Sequence, residues 1–120
     1  MSLFNNRNKK KPYLIAEMAC AHQGDFESAK KLVEVVNNNK FDCIQIQIFN
    51  AESNLLTTAP MYEKIKNIQF SLNEWNELID FIRTQTKMDL SIFAYDEPSL
   101  DFAIKQSPDL IKLNSSELSN

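Results

Sequence analysis

Four short apolar runs, separated by stretches of helical periodicity, set the limits on what this chain can fold into. They are Tyr13–Met18, Cys43–Phe49, Asp89–Tyr95 and Leu110–Leu113. Each is too short for a buried helix and is followed by polar or turn-forming residues, the pattern of a strand in a parallel sheet. Between the first two, Asp25 can cap a helix whose apolar residues Phe26, Ala29, Leu32, Val33 and Val36 share one face. Ser71-Leu72-Asn73-Glu74 is a capping box, and Trp75, Leu78, Ile79 and Ile82 form the stripe behind it. Asp96 and Pro98 open a third helix that carries Leu100, Ala103 and Ile104 inward. The order β-α-β-α-β-α-β implies right-handed crossovers and a parallel sheet. Two architectures fit: a small open sheet with helices on both faces, or the first part of an eight-stranded barrel.

At 120 residues the chain has room for one domain. A formal charge of −3 argues against a nucleic-acid partner held by bulk electrostatics. Residues 1–11, with Arg7, Lys9, Lys10 and Lys11, read as a flexible basic tail ahead of a folded part spanning 12–120. A signal-peptide reading of the same region fails because Glu17 interrupts its apolar stretch. No run is long enough to span a membrane. Cys20 and Cys43 are too few for a disulfide framework and neither lies in a Cys-x-x-Cys pair, which favours a reduced, cytoplasmic setting. The only glycine is Gly24, so Gly-rich phosphate loops are excluded.

Glu17 is the residue that calls for an explanation. It lies at the end of an apolar run, where a buried carboxylate is costly unless paired. The C-terminal ends of strands in α/β folds are also where ligands bind. His22 and Gly24 follow in the adjoining loop, and the chain repeats the arrangement where Leu110–Leu113 runs into Asn114-Ser115-Ser116-Glu117.

Five stretches share one further property. They are Ala16-Glu17-Met18-Ala19, Ala21-His22-Gln23-Gly24, Asp42-Cys43-Ile44-Gln45-Ile46-Gln47, Ser71-Leu72-Asn73-Glu74-Trp75, and Lys112-Leu113-Asn114-Ser115-Ser116-Glu117-Leu118-Ser119-Asn120. In order and spacing they resemble the N-terminal region of the N-acetylneuraminate (sialic acid) synthase family. The resemblance implies an α/β fold of the parallel (β/α) TIM-barrel type, of which this chain holds three βα units and a fourth strand. Such barrels need ~250 residues. It also implies condensation of phosphoenolpyruvate with an N-acetylated amino sugar such as N-acetylmannosamine, with release of phosphate. A divalent metal, manganese or magnesium, would assist, held by histidines on later strands rather than by this chain. A homodimer is the expected assembly.

Carried over residue by residue, the resemblance makes Glu17 and Glu117 the catalytic carboxylates. Lys112 pairs with phosphoenolpyruvate and Ser115 sits beside its phosphate. Gln45 stands where the family has a lysine: an amide can donate to an anion but brings no charge. His22 joins the substrate-binding set, unless it serves only to pin its loop or cap the next helix. Phe93 occupies a position where a small hydroxyl is usual, and Ala21 replaces an asparagine. The long connection from Asn50 to Phe70 could offer Asn54, Thr57, Thr58 and Tyr62 to a sugar, although a solvated surface loop is the better reading of any one of them. Two alternatives remain at this point: a non-catalytic sugar-binding or assembly module of the same fold, or a synthase making shorter 3-deoxy sugar acids. Whether this chain alone is an enzyme stays open.

Overall fold

Side-chain caps fix where the main helices begin. Asp25 accepts hydrogen bonds from the N–H groups of Glu27 and Ser28, and opens α1 (Phe26–Asn38). Ser71 and Glu74 make the reciprocal capping box that opens α4 (Leu72–Gln85). Asp96 accepts from Ser99 N–H at the start of α5 (Glu97–Gln106), with Pro98 in the first turn. The strands are β1 (Ile15–Glu17), β2 (Cys43–Ile48), β3 (Asp89–Ala94) and β4 (Leu110–Leu113). Two short helices, α2 (Ala51–Asn54) and α3 (Tyr62–Ile68), lie between β2 and α4. These elements come from a computed structural model, which describes residues 11–114.

All four strands are parallel and stand side by side in chain order. Ile44, Ile46 and Ile48 of β2 and Leu90 and Ile92 of β3 point to one side of the sheet. There they meet Ala29 and Val33 of α1, Trp75, Leu78, Ile79 and Ile82 of α4, and Phe102 and Ala103 of α5. Sequential order with right-handed crossovers puts every connecting helix on the same side. A doubly wound sheet would reverse its strand order and bury both faces. The arrangement is therefore an arc of a (β/α) barrel.

Three expectations need correction. First, β1 is not a buried run. Leu14 and Ile15 are exposed, because β1 is an edge strand whose outer side pairs with nothing among the described residues. Second, α5 turns Phe102 rather than Ile104 inward: Ile104 is 57% exposed. With Ser99, Phe102 and Ala103 forming the buried face, position 104 falls off it. Third, the connection after β2 is not a solvated loop. Ala51, Tyr62 and Phe70 are buried, and the Ala51 N–H donates to Gln69 Oε1 at 2.8 Å.

Gly24 explains how the β1–α1 loop fits beneath this connection. Its φ is +80°, and a Cβ there would lie 2.9 Å from the Asn67 carbonyl oxygen and 3.0 Å from Ile68 Cα. Only glycine satisfies both the left-handed backbone and that approach.

At the opposite end of the sheet, three aspartates stitch the strand beginnings together. Asp42 accepts from Leu14 N–H at 2.8 Å and Asp109 from Leu90 N–H at 2.8 Å, while Asp89 accepts from the Tyr13 hydroxyl. Burial and the Asp89 bond together hold the Tyr13 hydroxyl well above its ordinary pKa. Nearby Cys43 is buried, with its thiol pushed up to about 11 by desolvation, so it is an unreactive packing residue. Among barrels this N-terminal end serves stability, and the C-terminal end carries function.

Candidate functional site

The face of the sheet turned away from the helices carries alternate residues of each strand. Strand register sets Glu17, Gln45 and Ser91 in one row. Gln47, Phe93 and Lys112 form the next row toward the C-terminal end. Within the first row the Ser91 hydroxyl donates to Gln45 Oε1 at 3.2 Å, and both residues are buried. Gln47 Nε2 donates to the Cys20 sulfur at 3.6 Å, linking the second row to the loop after β1. The Phe93 and Tyr95 rings lie 4.2 Å apart, centroid to centroid.

Lys112 joins the two edges of the arc. Its ammonium donates to Glu17 Oε1 at 3.4 Å and sits 4.6 Å over the Phe93 ring. β1 and β4 are three inter-strand steps apart, about 14 Å on a flat sheet. Two side chains close that span only over a sheet curled toward this face, which is the curvature of a barrel interior. The side chains of Lys112 and Glu17 are 49% and 58% exposed. Glu17 is therefore not the buried carboxylate that its apolar neighbours suggest. Solvent screens the pair, and such pairs contribute about 0–1 kcal/mol to stability. Its position has to be explained by something other than folding energy.

Around this pair the titratable groups are shifted toward their neutral forms. Burial raises the Tyr95 hydroxyl, with Cys20 once ionised and the Glu17 carboxylate adding to the effect. Burial also raises the Cys20 thiol, so it is a poor nucleophile at neutral pH. Tyr95 thus offers an intact hydroxyl within electrostatic reach of the Glu17 carboxylate, which Lys112 pairs. These groups can orient an anion and hydroxyls, and Glu17 can accept a proton.

The rim above the site is held by Asp96. One of its carboxylate oxygens accepts from Asn50 N–H at 2.6 Å and from Asn54 Nδ2 at 2.7 Å; the other caps α5. Asn54 is thereby committed to the rim, and Tyr62 is buried with its hydroxyl 3.4 Å from Glu52. Thr57 and Thr58 are exposed.

Of the residues expected from sequence, the structure brings Glu17, Gln45 and Lys112 to one face and sets His22 apart. His22 is 1% exposed, stacked on Phe70 at 4.2 Å and edge-on to Trp75 at 5.8 Å. Its Nδ1 accepts from Gly24 N–H at 2.9 Å. The ring pins the loop to the start of α4, one of the two parts open to it from sequence. Ser115 and Glu117 lie outside the described residues. Four contributors were not singled out from sequence: Cys20, Gln47, Ser91 and Tyr95. The period-two alternation of Gln45 with Gln47, and of Ser91 with Phe93 and Tyr95, is the signal that could have found the last three.

Among the described residues, no three His, Cys, Asp or Glu side chains converge as metal ligands. A carboxylate occupied by an ammonium beside amides and a half-buried thiol does not suit manganese or magnesium, which want several free oxygen ligands. The metal implied by the resemblance does not fit these residues, and no step is assigned to it.

No protein-family model matches the chain. It is 25% identical over 122 aligned residues to N,N'-diacetyllegionaminic acid synthase of Legionella pneumophila, covering 90% of this chain and 34% of that protein. Its fold matches the N-acetylneuraminic acid (sialic acid) synthetase of Leptospira borgpetersenii with a TM-score of 0.80 and 20% identity, over 90% of this chain and 38% of that one. A spore coat polysaccharide biosynthesis protein E of Chromobacterium violaceum matches with a TM-score of 0.74 and 19% identity, over 88% and 34%. The chain thus spans little more than a third of the length of these proteins. In sequence it is similar to part of a legionaminic acid synthase, and in fold to part of a sialic acid synthetase.

Proposed function

We propose that the protein supplies the N-terminal wall of a sugar-acid synthase site, in which phosphoenolpyruvate is condensed with an N-acetylated amino sugar and phosphate is released. The observation that carries this reading is the Glu17–Lys112 pair, set over Gln45 and Phe93 at the C-terminal ends of parallel strands. An exposed ion pair of little folding value, at the end of a sheet where ligands bind, is more economically read as a site than as a brace. Lys112 would exchange Glu17 for an anionic group of phosphoenolpyruvate. Charge-assisted bonds of this kind are roughly twice as strong as neutral ones. Freed of its partner, Glu17 is suited to accept a proton or orient a hydroxyl near the enol carbon. Gln45 adds a neutral contact. Ser115 and Glu117, adjacent in sequence to β4, are proposed to complete the phosphate and sugar contacts. The setting proposed is a cytoplasmic homodimer.

A second reading, a sugar- or anion-binding module without catalysis, is favoured by one observation. Gln45 brings no charge to the row, where a second cation would help hold a trianionic substrate. Calorimetric titration with phosphoenolpyruvate, joined to a phosphate-release assay with N-acetylmannosamine and manganese on the complete gene product, separates the two. Phosphoenolpyruvate is expected to bind, and Lys112→Ala to weaken it at least tenfold, the loss of one charge-assisted contact. An affinity indifferent to Lys112→Ala would refute the site. Binding with no phosphate release would leave the module.

A further inference from the structure

Lys112 has two partners on this face, and only one of them is an acid. Its ammonium lies 3.4 Å from Glu17 and 4.6 Å above the Phe93 ring. The second contact is built into the sheet: Phe93 and Lys112 are register partners across the β3–β4 pair. Phe93 also packs against Tyr95, whose ring centroid is 4.2 Å away. An aromatic ring fixed in this way presents its face to the ammonium and limits the directions in which the lysine can swing.

We propose that Phe93 is a positioning residue that parks Lys112 against Glu17, so that an anionic ligand gains Lys112 only by displacing this arrangement. The inference rests on the reading of this face as an anion site. Its consequence is opposite in sign to most substitutions near a binding site. A protein whose binding-competent state is only partly populated shows a correspondingly weakened affinity, and removing what holds the other state restores it. Taking away the ring while keeping an apolar side chain should therefore tighten anion binding. A partly exposed cation–π contact corresponds to roughly two- to fivefold in affinity.

Three forms of the chain test this: wild type, Phe93→Leu without the ring, and Phe93→Tyr with it. The ε-methylene protons of Lys112, assigned with a Lys112→Arg variant, report the ring directly by NMR. They should be displaced upfield by the ring current in wild type and Phe93→Tyr, and lie at ordinary positions in Phe93→Leu. Calorimetry with phosphoenolpyruvate should show Phe93→Leu binding roughly two- to fivefold more tightly than wild type, with Phe93→Tyr returned to the wild-type value. Ordinary ε-methylene positions in wild type overturn the proposal and leave the anion site standing if phosphoenolpyruvate still binds. So does a Phe93→Leu variant that melts as wild type yet binds no more tightly. Failure of phosphoenolpyruvate to bind any of the three, with the upfield shift intact, overturns the anion site and this role of Phe93 together.

Discussion

His22 is the one histidine in the chain, and its surroundings hold it neutral. Nδ1 accepts the Gly24 N–H, which leaves the proton on Nε2, and that atom is buried with no hydrogen-bond partner among the described residues. Burial lowers its pKa from the ordinary 6.5. The unfolded chain therefore binds a proton more readily than the folded one. The stability contributed by neutral His22 is fully present above pH 6.5 and is lost as pH falls toward the lower folded value. Urea midpoints measured between about pH 5 and 8 should show the advantage of wild type over His22→Gln shrinking below 6.5. A difference that does not change with pH would contradict the assignment. Glu17 teaches the reverse lesson about single residues. Its apolar neighbours suggested burial, but burial depends on what lies alongside a strand, and β1 has a partner on one side only among the described residues. The residue was visible in the sequence as exceptional; its ion pair with Lys112, 95 positions away, was not.

Elements whose ends are set by their own residues were legible. The starts of α1, α4 and α5 follow from Asp25, Ser71 with Glu74, and Asp96, since a cap acts within three residues of itself. The short helices α2 and α3 were not legible. They have too few turns to show a period, and form because Ala51 and Tyr62 are buried and Asn50 and Ala51 are tied down by Asp96 and Gln69. The same contrast separates two caps. Ser71→Ala removes only local bonds and should cost about 1 kcal/mol. Asp96→Ala removes a cap together with the two bonds that clamp the rim to Asn50 and Asn54, and should cost about 2–3 kcal/mol. Equal midpoint shifts in urea would show that the clamp contributes nothing. Faster hydrogen exchange confined to residues 50–55 in Asp96→Ala would locate the loss.

At the scale of the whole molecule, alternation of strands and helices gave a parallel sheet but could not decide between an open sheet and a barrel. That choice depends on strand order and on which face the helices cover, and both are long-range properties. The order β1-β2-β3-β4 with a single helix-covered face decides it. The arc leaves its two outer strands unpaired among the described residues. On β4, Ile111 and Leu113 point to the helix side, where no described helix covers them, and Leu14 and Ile15 flank the other edge. Unpaired parallel edges carrying apolar side chains recruit further strands. The 120 residues by themselves should therefore associate, with a second copy as the proposed partner, and a lysine at an edge should oppose it. Size-exclusion chromatography with light scattering on wild type and Ile111→Lys checks this. Wild type should elute as a dimer or larger, and Ile111→Lys should shift toward monomer at the same concentration. A wild-type monomer at every concentration tested would mean that the edges are protected by a feature beyond residues 11–114. If instead both chains associate equally, the contact is made elsewhere, and the exposed helix residues Val35, Leu72 and Ile104 become the surface to vary.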